Sequence, residues 1–203
     1  KLTSIWNYEK QTSPFTRGEY IYYYRNDGLQ NQYVVYRKKD NSNSSEEVFL
    51  DPNKFSEDGT ISLTGLYFSE DGKLISYTIS EGGSDWRKAI VMDTETKQII
   101  GDTLTNIKFS GISWSGNKGF YYSSYDKPEG SELSEYTDRH KLYYHELNTD
   151  QKSDKIVFGD QTEKYRYVSG NVSDDNNFLF ISASNLTDGN ELYMIDLRKN
   201  SNR

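Results

Sequence analysis

Two glycines ahead of a serine, Gly82-Gly83-Ser84-Asp85-Trp86, are the first residues of this sequence that could do chemistry. A serine on a sharp turn can present its hydroxyl as a nucleophile when the turn joins a strand to a helix and a base lies within reach. Here Asp85 follows, and Trp86–Met92 reads as a strand. Glycines between two strands form a β-turn, so Ser84 is read as a turn residue and no catalytic residue is assigned to the chain. Gly111-Ile112-Ser113-Trp114-Ser115-Gly116 misses the elbow pattern by one residue before its closing Gly. The only histidines are His140 and His145, on either side of Lys141–Tyr144. They are read as exposed strand-end residues. Five apart in a strand, they would face opposite sides, which makes a poor metal pair, and no third ligand is evident. No metal or cofactor is therefore expected. Glu70-Asp71 and Asp174-Asp175 lie in repeated turn sequences, which points to turn chemistry and not to paired acid–base carboxylates. The phosphate loop, the dinucleotide fingerprint, the EF-hand spacing and the zinc helix are all missing.

The elements that would hold these residues are nearly all strands. Two aromatic runs, Glu19–Arg25 and Gln32–Arg37, flank Asn26-Asp27-Gly28 and read as a hairpin. Short strands are expected at Glu46–Leu50, Leu63–Phe68, Leu74–Ser80, Trp86–Met92, Ile107–Trp114, Gly119–Tyr125, Lys141–Leu147, Lys155–Phe158, Phe178–Ala183 and Glu191–Leu197. No stretch of a dozen residues has a capped helical period.

A repeat runs through them. Phe68-Ser69-Glu70-Asp71-Gly72, Trp114-Ser115-Gly116-Asn117 and Val172-Ser173-Asp174-Asp175-Asn176 each place an apolar residue and Ser ahead of a polar turn and a strand. The copies are 46 and 58 residues apart, and the excess fits a polar insertion at 126–139. Repeats of about 40–50 residues with four strands are the signature of β-propeller blades. The fold class expected is all-β: a partial β-propeller of four-stranded antiparallel blades over 1–203, about half of a ring.

Composition removes several functions. The 203 residues carry 24 basic and 31 acidic side chains, net −7, with no basic stripe, so no nucleic-acid partner is expected. There is no Cys, which excludes disulfides and thiolate chemistry. No apolar run approaches membrane-spanning length, and no membrane partner is expected. The chain reads as a soluble protein, with the compartment open between cytoplasm and periplasm. It does not begin with Met, and reads as a piece of something longer.

Several motifs together resemble the prolyl oligopeptidase family, in the N-terminal part of its β-propeller. They are Asn26-Asp27-Gly28-Leu29-Gln30-Asn31-Gln32, Val48-Phe49-Leu50-Asp51-Pro52-Asn53, Phe68-Ser69-Glu70-Asp71-Gly72, Gly83-Ser84-Asp85-Trp86, Ile107-Lys108-Phe109-Ser110 and Lys141-Leu142-Tyr143-Tyr144-His145. The resemblance implies a seven-bladed propeller that caps an α/β-hydrolase domain, in a serine endopeptidase that cleaves short peptides after proline. The Ser-Asp-His triad of the family lies in the hydrolase domain, which nothing in this chain matches, so the chain should be inactive alone. The resemblance makes Phe109 a candidate for a distal substrate subsite. It places Asp85 in the interdomain region and matches Tyr125, with the loop 126–139, to a segment that gates access. The partners it implies are the hydrolase domain, the remaining blades and short proline-containing peptides. A stand-alone propeller that binds other proteins is the alternative from a different class.

Overall fold

A computed structural model of the chain describes residues 1–41, 44–101, 103–126, 139–159, 167–185 and 189–199. A short helix, α1 (Leu2–Trp6), precedes four antiparallel sheets. The first holds β1 (Lys10–Gln11), β2 (Phe15–Arg17), β3 (Tyr20–Asn26), β4 (Val34–Lys39) and β5 (Glu47–Leu50). The second holds β6 (Ile61–Phe68), β7 (Leu74–Glu81), β8 (Trp86–Asp93) and β9 (Leu104–Lys108). β10 (Ile112–Ser115), β11 (Gly119–Ser124), β12 (Lys141–Glu146) and β13 (Lys155–Phe158) make the third. The fourth is β14 (Tyr167–Val172), β15 (Phe178–Ser184) and β16 (Glu191–Asp196). The second, third and fourth sheets are meanders with strands paired in chain order, and the first follows the same path from β3 to β5. This is the expected all-β partial propeller, an unclosed arc of four blades.

Three details depart from the expected strands. The first sheet counts five strands because its inner strand is broken: β1 and β2 both pair with β3. The break falls at Thr12-Ser13-Pro14, where Pro14 has no N–H for the ladder and the Thr12 hydroxyl accepts the Tyr24 N–H at 3.1 Å. The single strand expected at Ile107–Trp114 is two, because Phe109 takes φ +50° and turns the chain from the outer edge of blade 2 to the inner edge of blade 3. β14 was not expected at all, since Tyr-Val-Ser-Gly-Asn-Val shows no clear apolar alternation. It forms because Val168 and Gly170 face blade 3. A Cβ on Gly170 would lie 2.8 Å from a Leu142 methyl.

Alternation along each strand sends side chains to both neighbours. Tyr20, Tyr22, Val35 and Phe49 of blade 1 pack against Ile75, Tyr77 and Met92 of blade 2. Leu74, Ala89, Val91, Leu104 and Ile107, on the other face of blade 2, meet Ile112, Trp114, Phe120 and Tyr122 of blade 3. Tyr121 and Leu142 meet Val168, Leu179, Ile181 and Ala183 of blade 4. Each layer is an apolar interblade core, in which a fully buried apolar side chain contributes about 1.5–3 kcal/mol.

The meander also sorts the connections. Turns joining first to second and third to fourth strands lie at one rim. Turns joining second to third strands, and the links between blades, lie at the other. At the first rim, the repeated Ser-x-Asp turns are self-contained. The Ser69 hydroxyl donates to Asp71 at 2.9 Å and accepts the Leu74 N–H at 3.0 Å. The Ser173 hydroxyl likewise accepts the Phe178 N–H at 3.0 Å. These turns bridge blades as well: Asn117 donates to Asp71 at 2.8 Å, and the Gly116 N–H donates to Asn176 at 2.8 Å. The acidic pairs are turn residues, as the repetition implied.

Candidate functional site

The second rim collects the residues of interest. Gly82 and Gly83 both have positive φ, at 58° and 74°, and the Ser84 N–H donates to the Glu81 carbonyl at 3.1 Å. Those are the marks of a type I′ β-turn, which glycine enters without steric cost, within the four-residue link between β7 and β8. The Ser84 hydroxyl accepts the Trp86 N–H at 3.1 Å, and its carbonyl accepts the Ser80 hydroxyl at 2.6 Å. Ser84 therefore closes the hairpin and has no histidine partner among the described contacts.

Asp85 is exposed at the foot of this turn and makes no hydrogen bond or ion pair among the described residues. Trp86 pairs with Lys108 across β8 and β9, so Asp85 and Phe109 stand one step further along the same rim. The Lys108 ammonium lies over the Trp86 ring at 4.7 Å and the Phe109 ring at 5.3 Å.

Phe109 is 43 % exposed at the link between blades 2 and 3. Its ring stands edge-on to Tyr125, 6.3 Å away, and to Tyr167, 5.7 Å away. Tyr125 is buried, while Tyr167 is 42 % exposed. Tyr125 packs on His140 with ring centroids 4.5 Å apart. The structure thus brings Phe109 and Tyr125 together and adds Tyr167 and His140, which sequence reasoning did not include. Tyr167 opens a strand that carries no strand signal, so nothing local marked it.

Of the insertion at 126–139, residues 127–138 lie outside the described residues. Its base is fixed by the Lys141 ammonium, which donates to both Asp126 carboxylate oxygens at 2.7 Å.

Both histidines correct the expectation of exposed strand ends, because each is buried. His140 Nδ1 accepts the Val168 N–H at 2.8 Å, which leaves Nε2 to carry the proton and donate to the Lys108 carbonyl at 2.9 Å. Burial holds its pKa down at about 4, against a small opposing effect of the Lys108 bond, so the ring is neutral. His145 lies in a separate network. Its Nδ1 meets Asp154 at 2.8 Å, and the other Asp154 oxygen accepts the Tyr122 hydroxyl at 2.7 Å. Gln151 extends this network to both backbone groups of Thr105 in blade 2. It pairs a histidine with an acid, as a triad does, but the third member is a tyrosine and the group stitches two blades together. Among the described residues no cluster could hold a metal ion.

The comparisons with known proteins agree with this architecture. The family model described as prolyl oligopeptidase, N-terminal beta-propeller domain, matches residues 1–203. The chain is 54 % identical over 199 residues to a prolyl endopeptidase of Elizabethkingia miricola and 53 % identical to one of Elizabethkingia meningoseptica. Each alignment covers 98 % of this chain but only 28 % of the relative's length. Among solved structures, prolyl oligopeptidase B from Galerina marginata, bound to a 35mer hydrolysis and macrocyclization substrate, superposes with a TM-score of 0.87 at 28 % identity. That match covers 96 % of this chain and 30 % of the other. With blades, rim and turn chemistry all consistent, the chain belongs to the prolyl oligopeptidase family, as part of its N-terminal β-propeller domain.

Proposed function

We propose that this chain is the non-catalytic propeller portion of a prolyl oligopeptidase-like serine endopeptidase that cleaves short peptides after proline. In this reading the rim that carries Asp85, Phe109, Tyr125 and Tyr167 faces an α/β-hydrolase domain that supplies the Ser-Asp-His triad. The propeller caps that domain and, through the segment that begins at Tyr125, gates access to it. The remaining blades and the hydrolase domain are the partners of the chain, and short proline-containing peptides are the substrate.

One observation carries the reading: a half-exposed aromatic pair, Phe109 and Tyr167, shares a rim with an exposed carboxylate, Asp85, that has no hydrogen bond or ion pair among the described residues. Exposed rings backed by buried ones offer apolar area to a ligand at little conformational cost. Asp85 offers a charge to a facing domain.

The test compares the 203-residue chain with the longer protein on a fluorogenic Gly-Pro substrate. Activity in the longer protein alone supports the capping propeller. Activity in the chain, abolished by Ser84→Ala, overturns it. Activity in neither favours a stand-alone binding propeller. Within an active longer protein, Phe109→Ala should lower kcat/KM roughly tenfold for a substrate with an aromatic residue ahead of Gly-Pro, as loss of one apolar burial implies.

A further inference from the structure

His140 touches neither solvent nor any group that ordinary packing would require to be a histidine. It is fully buried, yet both of its nitrogens are spent on backbone groups far away in sequence. The identity of those groups is informative. Lys108 directly precedes Phe109, and Val168 directly follows Tyr167. The Lys108 carbonyl belongs to the peptide plane on the N-terminal side of Phe109. The Val168 N–H belongs to the plane on the C-terminal side of Tyr167. One imidazole therefore fixes one peptide plane beside each exposed ring. Phe109 needs such a restraint, because a non-glycine residue at φ +50° is strained and persists only where its surroundings hold it. The ring of His140 also supports Tyr125, which stands under the edge of Phe109.

We infer that His140 is a positioning residue: by tying Lys108 to Val168 it sets the angle at which Phe109 and Tyr167 present their exposed rings to a peptide side chain. This rests on the reading of Phe109 as a distal subsite. His140 does not touch the substrate. It acts through the two backbone planes, through Tyr125 and through its own ring contact with Tyr167, 6.4 Å away.

The test uses the longer protein and two substrates, Gly-Pro and Phe-Gly-Pro, each with a fluorogenic leaving group. His140→Ala should lower the ratio of kcat/KM for the longer over the shorter substrate by roughly fivefold to tenfold, with the loss expressed in KM, because misplacing a binding group weakens only the contact it makes. His140→Gln should restore most of the ratio, since a carboxamide can accept from Val168 and donate to Lys108. A ratio that falls in Phe109→Ala but is unchanged in His140→Ala overturns the positioning role while keeping the subsite. If Phe109→Ala leaves the ratio unchanged, the subsite reading fails, and amide hydrogen exchange decides what His140 does. Faster exchange in both peptides, around 106–112 and 167–171, in His140→Ala but not in His140→Gln would keep its role as organiser of the aromatic group. Unchanged exchange in either segment would remove that role as well.

Discussion

At pH 7 the His140 imidazole is neutral, and the neutral form is the only one that fits its place. Protonation would put a hydrogen on Nδ1, against the Val168 N–H that now donates to it. With the folded pKa at about 4 and an ordinary value of 6.5, the unfolded chain takes up the proton first as pH falls. The contribution is complete above pH 6.5 and is lost as pH falls towards 4. By pH 5 this single site should cost about 2 kcal/mol. Urea unfolding at pH 7 and pH 5 should therefore show wild type losing about 2 kcal/mol more than His140→Gln. Equal losses would mean that the ring is not buried in this way. Ser84 gives the complementary case. Among the described contacts its hydroxyl serves only the Trp86 N–H, so Ser84→Ala should cost about 1 kcal/mol in stability and, if the proposed function holds, leave the turnover of the Gly-Pro substrate unchanged.

Among the elements, blades 1 and 2 are joined by more than their aromatic layer. Arg37 on β4 is buried between the Tyr20 and Phe49 rings, 4.0 and 4.9 Å away. Its Nε donates to Glu47 at 2.7 Å, and its guanidinium also donates to the Thr94 carbonyl in the turn after β8. Glu47 in turn accepts from Lys97 at 2.9 Å, and Lys97 donates to the Val48 carbonyl at 2.8 Å. Arg37→Ala would leave the Thr94 carbonyl without this donor and Glu47 with Lys97 alone, and would remove the packing between the Tyr20 and Phe49 rings, so it should lower stability by roughly 2–3 kcal/mol. Arg37→Lys should recover little, because one ammonium cannot span both acceptors in the fixed geometry of a guanidinium. The urea midpoints of the two variants test this, and full recovery by lysine would contradict it. The repeated turns work at the same scale. Gly72, at φ +69°, approaches Gly18 so closely that a Cβ would lie 2.4 Å from the Gly18 nitrogen. The turn of blade 2 is thereby pressed against that of blade 1.

Across the whole molecule, the two ends of the arc differ. The outer face of blade 1 is closed by its own side chains: Arg25 lies 3.9 Å over the Tyr36 ring and pairs with Glu46 at 2.9 Å, and Tyr23 also donates to Glu46. Burial and the Glu46 bond push the Tyr23 pKa up to about 12, so this cap keeps its proton at neutral pH. On the outer face of blade 4, Arg198 pairs with Asp196 at 2.8 Å and lies 4.7 Å over the Phe178 ring, which leaves the neighbouring apolar side chains open. Phe180 is 38 % exposed, Met194 59 % and Leu192 73 %. A contiguous apolar sheet face of this kind drives association. The isolated chain should self-associate in sedimentation velocity, and Phe180→Lys with Met194→Glu should return it towards monomer. A monodisperse wild-type monomer that melts cooperatively would contradict this.

The sequence by itself determined what is written in short-range chemistry. Strand alternation, the Ser-x-Asp turns and the Gly-Gly turn depend on neighbours a few residues apart, so the all-β blades and the place of Ser84 in a turn are legible in the chain itself. The family was legible too, because its motifs hold the same turns. Tertiary structure decided the rest. β14 exists because blade 3 covers it, and its own residues do not announce a strand. Phe109 splits an apparent single strand because the chain must change blades there. His140 is buried because its partners, Lys108 and Val168, lie 32 and 28 residues away. Tyr167 joins Phe109 for the same reason. Hydrogen bonds and ring contacts between blades form only when the sheets stack, and no window of local sequence contains both of their ends.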